Sequence, residues 1–267
     1  MENTNINYRF LDDKHVHQIL IDGTWKNLIG TSSIPGVLAK PLTWWAAGLA
    51  VGVLGWTAKK DKDKWVSTDK RVAKAQEKLD EIKTMDGKQY LALLDEGYVA
   101  HSKKLDSTAQ AGTDLHALAE QWIKGQINGK PIAPHQQIMP LVNWAKENVD
   151  KWLWSEMNCY SQEEWLGGIT DAGFLDKQGR VAILDIKSSK EAYISQFIQC
   201  AGYDIQISEQ GGYTKDGVKV FDLGDNKISY YAILPFGMEN PTVQTRHNVD
   251  DLKGAFKACL QLYKLLN

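Results

Sequence analysis

One segment of the sequence combines an unbroken apolar run with a charged end. Val181–Leu184 is apolar throughout, and Asp185 and Lys187 follow it. Such a run predicts a buried strand, and residues two apart on a strand point to the same face. Asp185 and Lys187 therefore project together, and a turn at residues 177–179 brings Asp171 onto a paired strand. Two carboxylates and an ammonium that converge at a sheet edge can hold a divalent metal ion and position a water for attack on a phosphate.

Each of these charged residues also has an ordinary structural interpretation. Asp171 alone could be a turn or strand-edge acid, and Lys187 could form a plain ion pair with Asp185. An acid placed directly after four apolar strand residues is costly to bury unless it is paired or bound to a metal ion. The three residues together favour a metal site.

Length and composition indicate a globular protein. The chain has 267 residues, enough for one large domain or two small ones, with 43% hydrophobic and 24% charged residues. The formal net charge is −2 and the pI is about 6.3. Bulk charge thus gives no support for nucleic-acid binding, so a nucleic-acid substrate would require a local basic face.

The cysteines and the N-terminal residues bear on the cellular compartment. Cys159, Cys200 and Cys259 are far apart and form no CxxC pair, which argues against a zinc ribbon or an iron–sulfur cluster. An odd and sparse cysteine count suits a reducing cytoplasm. The first six residues lack the basic start and apolar run of a signal peptide. We therefore expect a cytoplasmic protein.

A strongly apolar stretch runs from Leu42 to Trp56. At about 15 residues it is shorter than the ~20 that a transmembrane helix needs. It predicts a buried helix that begins near Pro41, with membrane contact as the alternative.

The remaining pattern predicts an α/β (α+β) fold in which a helical N-terminal half precedes a small mixed β-sheet flanked by helices. We expect a single domain over 1–267, with a hairpin-led helical part over about 1–150 and a sheet core over about 151–267. The predicted elements are a hairpin within 17–34, charged helical segments over 57–110, helices at 113–125, 138–153, 191–207 and 249–266, a glycine-rich loop around 211–212 and a strand at 228–235.

Several helical residues are candidates for the same site. Gln199 and Tyr203 are four apart and so share a helix face, although an ordinary amphipathic helix has the same spacing. His116 could be a structural histidine, and beside two carboxylates it could be a metal ligand. Lys103 and Lys104 precede that helix and are placed for phosphate, whereas the charge around them could equally form a solvated helix face.

Five blocks occur in a fixed order along the chain. They are Gly112-Thr113-Asp114-Leu115-His116, Glu156, Gly168-Ile169-Thr170-Asp171, Asp185-Ile186-Lys187-Ser188 and Gln199-Cys200-Ala201-Gly202-Tyr203. In this order they resemble the RecB-like branch of the PD-(D/E)xK nuclease superfamily, in particular the small exonucleases common in phages. The segment from Asp22 to Trp45 is also similar to the early part of such proteins. Thr170 stands where the superfamily name has proline, as is usual in this branch.

The resemblance implies a restriction-endonuclease-like core and a set of site residues. It implies that Asp171, Asp185, the backbone carbonyl of Ile186 and His116 bind Mg²⁺ or Mn²⁺. Lys187 would orient or deprotonate the attacking water or stabilise charge on the phosphate. Glu156 would support the ligands or bind a second ion. Residues implied or expected to bind nucleic acid are Gln199, Tyr203, Ser188, Lys103 and Lys104.

The implied activity is metal-dependent exonucleolytic hydrolysis of phosphodiester bonds in DNA, in phage-type recombination, repair or degradation. The alternatives are an endonuclease of the same fold and a catalytically inactive nucleic-acid-binding module. DNA is the implied partner, with a single-strand annealing protein and a second copy of the chain as further candidates and no membrane. For a phage-encoded protein the compartment would be the host cytoplasm. The sequence contains no P-loop, so any unwinding would come from a partner.

Overall fold

The computed structural model describes residues 7–38, 43–57, 60–61 and 64–267. The strands are β1 (Tyr8–Leu11), β2 (Val16–Ile21), β3 (Thr24–Asn27), β4 (Ile29–Gly30), β5 (Lys60–Asp61), β6 (Lys64–Trp65), β7 (Val149–Ser161), β8 (Leu166–Asp176), β9 (Val181–Lys187), β10 (Gly212–Tyr213), β11 (Lys219–Phe221), β12 (Ile228–Pro235) and β13 (Gln244–Arg246). The α-helices are α1 (Thr43–Gly52), α2 (Asp69–Lys83), α3 (Gly87–Ile127), α4 (Met139–Asn148), α5 (Ile194–Gln210) and α6 (Val249–Leu266). Two 3₁₀ helices span Thr31–Leu38 and Gln136–Ile138. The fold is mixed α/β, as predicted.

Two compact units divide the chain. One contains Met1–Ala39 with Gly112–Asn267, and the other contains Lys40–Ala111. The first unit holds the hairpin, the main sheet and the residues predicted to form the site, except Lys103 and Lys104. The prediction of a single domain with a boundary near residue 150 remains a prediction.

The main sheet is mixed in strand direction. Its order is β11-β10-β7-β8-β9-β12-β13, and β4 joins β8 in parallel at Ile29 and Gly30. The strand β8 is antiparallel to both of its neighbours, β7 and β9, whereas β9 and β12 are parallel. The helix α5 lies between β9 and β12 in the chain, as a crossover between parallel strands requires.

Helices cover both faces of this sheet. Val181 and Ile183 pack in a cluster with residues of α5 and α6, whereas Ala182 and Leu184 pack with α4 and the C-terminal part of α3. A strand buried on both faces reads as a continuous apolar run rather than an alternating one. This explains the unbroken apolar run before Asp185.

Several predicted elements are confirmed by the structure. The strand at 228–235 and the helix at 249–266 have the predicted bounds, and β2 and β3 form the expected hairpin around Asp22 and Gly23. The helix at 191–207 is α5, and the predicted helix at 113–125 is the end of the longer α3. Within 57–110, α2 and the first part of α3 are helical, whereas β5 and β6 form a short antiparallel pair, so the helical prediction is wrong at these two strands. The predicted helix start at Pro41 lies outside the described residues.

Two further predictions are wrong. The helix predicted over 138–153 ends at Asn148, and residues from Val149 onward pair with β8 instead. The stretch from Leu42 to Trp56 is predicted to be buried, yet in the described side chains from residue 46 to 56 it is mostly half-buried or exposed. Val51 is 40% exposed and Leu54 36%. Among the described residues, no helix has both the length and the apolar character needed to span a bilayer.

A buried ionic network connects α5 with α6 and β12. Asp204 on α5 is fully buried, accepts hydrogen bonds from the hydroxyls of Tyr231 (2.7 Å) and Ser208 (2.9 Å), and pairs with Lys253 Nζ at 2.9 Å. Burial raises the pKa of Asp204, and Lys253 offsets only part of that rise. The carboxylate therefore depends on its cation to stay ionised in the core.

We expect Lys253→Ala to lower the free energy of unfolding by about 3 kcal/mol, because it leaves a buried charge uncompensated. Lys257 is the matched control on the same helix, since it forms an exposed pair with Glu164 at 3.1 Å. Lys257→Ala should cost less than about 1 kcal/mol. Urea unfolding of the two variants measures both values, and equal losses would contradict the assigned role of Asp204.

Candidate active site

The strands β8 and β9 place Asp171 beside the backbone of Ile186. Ala172 pairs with Leu184 in the antiparallel register, so Asp171 lies next to the end of β9. Its Oδ2 accepts a hydrogen bond from the backbone N–H of Ile186 at 2.6 Å. This bond fixes one carboxylate oxygen and leaves the other, Oδ1, for a different partner.

Asp185 and Lys187 share one face of β9, as the alternation of a strand predicts. Lys187 Nζ lies 3.0 Å from Oδ1 and 2.9 Å from Oδ2 of Asp185, whose side chain is 2% exposed. Oδ2 is not aligned for a hydrogen bond despite that short distance. One buried carboxylate oxygen of Asp185 thus retains acceptor capacity that the protein itself does not use.

Burial and charge act in opposite directions on this pair. Burial raises the pKa of Asp185, Lys187 lowers it, and the net result lies above the ordinary value. Burial alone would lower the pKa of Lys187, but Asp185 and Asp171 raise it above its ordinary value. Lys187 is therefore held as an ammonium in this arrangement.

His116 reaches the same place from α3. Its Nε2 lies 2.8 Å from the carbonyl oxygen of Ile186, and its Nδ1 lies 3.6 Å from Oδ1 of Asp171. A carbonyl oxygen only accepts, so Nε2 carries the proton in this contact. The imidazole of His116 therefore lies between Asp171 and the Ile186 carbonyl, and all three are predicted metal ligands.

Glu156 lies opposite Asp171 across the β7–β8 pair. It sits between the register pairs Ser155↔Ala172 and Met157↔Thr170, and its φ of 49° is in the left-handed region. Non-glycine residues seldom adopt this conformation, which is enriched at functional sites. Here it interrupts the regular pleat of β7 where the two acids meet.

The environment of Glu156 disfavours its ionised form. Burial, followed by the charges of Asp171 and Glu120, raises the pKa of Glu156 to about 8, with Lys124 acting in the opposite direction. Acids that repel one another in a partly buried site are typical of places where a cation binds or a proton is transferred.

His116, Glu156 and Asp171 form a group that could hold a metal ion. One ligand atom from each lies within 4.8 Å of the others, and all three side chains are half-buried. Carboxylate oxygens suit Mg²⁺ and Mn²⁺, and an imidazole nitrogen suits the softer of the two. Asp185, a predicted ligand, is not in this group and is instead paired with Lys187. The donor set of His116, Glu156 and Asp171 fits a divalent cation.

The predicted nucleic-acid-binding residues fall in different places. Gln199 donates to the hydroxyl of Tyr203 at 2.6 Å, and Tyr203 lies over Gly168, where a Cβ would come within 2.7 Å of its ring. Ser188 is exposed just after β9. Lys103 and Lys104 lie on α3 within the second compact unit, so their part in binding stays a prediction.

A cavity of about 460 Å³ opens onto the acids. Its walls include His116, Glu156, Asp171 and Tyr203, together with the hydroxyl-bearing residues 31–33.

Sequence reasoning gave no role to Glu120, although it follows His116 by four residues and therefore shares its helix face. That spacing was the available signal.

The sequence was also compared with known proteins. Neither models of known protein families nor curated proteins give a match to this chain, so the resemblance to PD-(D/E)xK nucleases rests on the sequence motifs and stays a prediction.

Proposed function

We propose that this protein is a metal-dependent deoxyribonuclease of the PD-(D/E)xK type that hydrolyses phosphodiester bonds as an exonuclease. The observation that carries the proposal is the convergence of a His116–Glu156–Asp171 group with the Asp185–Lys187 pair at one point of a mixed sheet. The carboxylates of Asp171 and Asp185 already outnumber the one ammonium, and Glu156 adds a third negative charge when it loses its proton, which a divalent cation would balance.

The proposal assigns a task to each side chain. His116, Glu156 and Asp171 would hold Mg²⁺ or Mn²⁺, with the Ile186 carbonyl and Asp185 as adjacent donors. The ion, when bound, polarises the scissile phosphate and lowers the pKa of a bound water.

Lys187 and Tyr203 act on the substrate rather than on the ion. Because Lys187 is held as an ammonium, it stabilises charge that builds on the phosphate, or orients the water, and it is poorly suited to remove a proton. Tyr203 and its partner Gln199 would contact the nucleic-acid end from α5.

Incubation of end-labelled linear DNA, duplex and single-stranded, with Mg²⁺, Mn²⁺ or EDTA tests the proposal. We expect hydrolysis with either ion, none with EDTA, and resistance of covalently closed circular DNA. Cleavage of circles would instead indicate an endonuclease. Absence of hydrolysis with both ions, or cleavage in EDTA, would contradict a metal-dependent nuclease.

A further inference from the structure

Two further cavities continue from the acids along β7. The first, of about 690 Å³, shares the wall residues Glu156 and Ile169 with the 460 Å³ cavity at His116, Glu156 and Asp171, which we call the metal-binding group. The second, of about 700 Å³, shares Leu153, Ile127 and Phe221 with the first. Shared walls mean that the cavities adjoin. We call these two cavities the β7 groove.

The β7 groove follows the free edge of the strand. Every residue from 149 to 158 lines one of its two cavities, irrespective of the face of the sheet to which its side chain points. Among the described residues, this edge pairs only at Asn158, with Tyr213 of β10. From Glu156 to Lys151 the strand advances by five residue steps, or roughly 17 Å at the usual rise per residue.

The far end of the groove is basic. Lys146 and Lys151 line it, and Lys177 donates to the backbone carbonyl of Lys146 at 2.6 Å. All three are exposed, and none takes part in an ion pair with any residue that the structure describes. Asp150 is the one acid among the walls of that end. The lysines nearer to Glu156 differ, because Lys124 and Lys215 pair with Glu120 and Asp12.

The middle of the groove offers aromatic and polar contacts. Phe221 is half-buried at the junction of the two cavities. Trp154 Nε1 and Ser155 Oγ are buried without a hydrogen-bond partner, although buried polar groups are normally paired. Because both atoms are buried, the accessible contact that the middle of the groove offers to a base is the ring of Phe221.

We infer that a single strand of DNA occupies the β7 groove, with its backbone held by Lys146 and Lys151 at the end away from the metal-binding group. Single-strand sites combine a basic track for the backbone with aromatic side chains for the bases, and the groove has both. The inference rests on the proposed function, because continuity with the acids is what selects DNA as the occupant.

An extended peptide paired to the free edge is the competing occupant. Strand addition requires a regular ladder, whereas the register of β7 shifts between Val149 and Lys151 and again between Trp152 and Trp154. Such bulges disrupt edge pairing. The irregular edge and the unpaired lysines therefore favour a polyanion over a peptide strand.

Fluorescence anisotropy with labelled oligothymidylates tests the inference, with Ca²⁺ in place of Mg²⁺ and lengths from about 5 to 20 nucleotides. The variant is Lys146→Ala/Lys151→Ala. We expect it to bind the longest oligonucleotide about 10-fold or more weakly at about 0.1 M salt and to reduce the salt slope by about 1.4, since two phosphate contacts at about 0.7 each are lost. Affinity should also stop rising at a shorter oligonucleotide length than in the wild type.

The matched control is Lys26→Ala/Lys227→Ala, which removes the same charge from two exposed lysines outside the groove. Thermal unfolding confirms that both variants are folded. If the wild type hydrolyses DNA yet both double variants bind with the same affinity and salt slope, the groove inference is overturned and the nuclease proposal stands. That result would favour an extended peptide as the occupant of the β7 edge. If the wild type neither hydrolyses nor binds DNA, both the groove inference and the nuclease proposal are contradicted.

Discussion

Replacing Lys187 by alanine is expected to lower the rate of DNA hydrolysis by at least about 100-fold, the cost typical of losing a preorganised group that stabilises charge in the transition state. Lys187 is the one cation within 3.0 Å of Asp185 among the described residues. Its loss leaves no ammonium beside the scissile phosphate. Single-turnover hydrolysis of end-labelled DNA with Mn²⁺ measures the effect.

The same substitution also removes the partner of a buried carboxylate, so instability must be separated from loss of chemistry. The double variant Asp185→Leu/Lys187→Met replaces the pair by apolar side chains, which is often neutral or stabilising for buried pairs. We expect it to recover most of the thermal stability lost in Lys187→Ala while remaining inactive. Hydrolysis at the wild-type rate by Lys187→Ala would remove the basis for the assignment of this site.

The sheet core was predictable because its signals are local. The run Val181–Leu184 is buried on both faces, so its apolar character alone identifies β9. The same-face placement of Asp185 and Lys187 follows from the two-residue period of a strand, and the structure brings their charged atoms to 2.9 Å.

The errors came where tertiary pairing decided between equal local patterns. Val149 continues the helical spacing of Leu141, Val142 and Ala145, yet it begins β7 because β8 offers a partner from Leu166 to Asp176. A short apolar pattern does not separate helix from strand without its neighbours. The described side chains of α1 are a second case, since they are half-buried or exposed and an apolar composition does not show what covers a helix.

The site shows the same limit. Glu156 could be named from its place in a series of motifs, but its left-handed backbone and its position opposite Asp171 depend on the register of two strands. His116 meets the Ile186 carbonyl from 70 residues away. No spacing in the sequence encodes that contact, which depends on how α3 packs on the sheet.

Glu156→Gln is expected to raise the stability of the metal-free protein and to lower the affinity of the His116–Glu156–Asp171 group for a metal ion. In the unfolded chain the pKa of Glu156 is near the ordinary glutamate value of 4.5, whereas in the folded protein its pKa is about 8. The proton it holds therefore stabilises the fold fully below pH 4.5, and this contribution is lost as the pH rises through 8. Above that pH the wild type carries a carboxylate that burial and Asp171 both oppose, whereas the neutral amide of the variant is free of that repulsion.

For metal binding we expect the reverse ranking: the wild type should bind Mn²⁺ more tightly than Glu156→Gln. Below about pH 8 a cation must displace the proton of Glu156, so the affinity of the wild type for Mn²⁺ should rise by up to about tenfold per pH unit and level off above that pH. In Glu156→Gln we expect affinity lower by about tenfold or more and a shallower pH dependence, because one ligand and one titrating group are gone. Thermal unfolding with EDTA or Mn²⁺ across this pH range measures both effects, with the exposed Glu163→Gln as control. A variant that is less stable than the wild type in EDTA above pH 8, yet binds Mn²⁺ as tightly, would show that Glu156 is a structural residue, and the metal-binding group would then lose one of its three ligands.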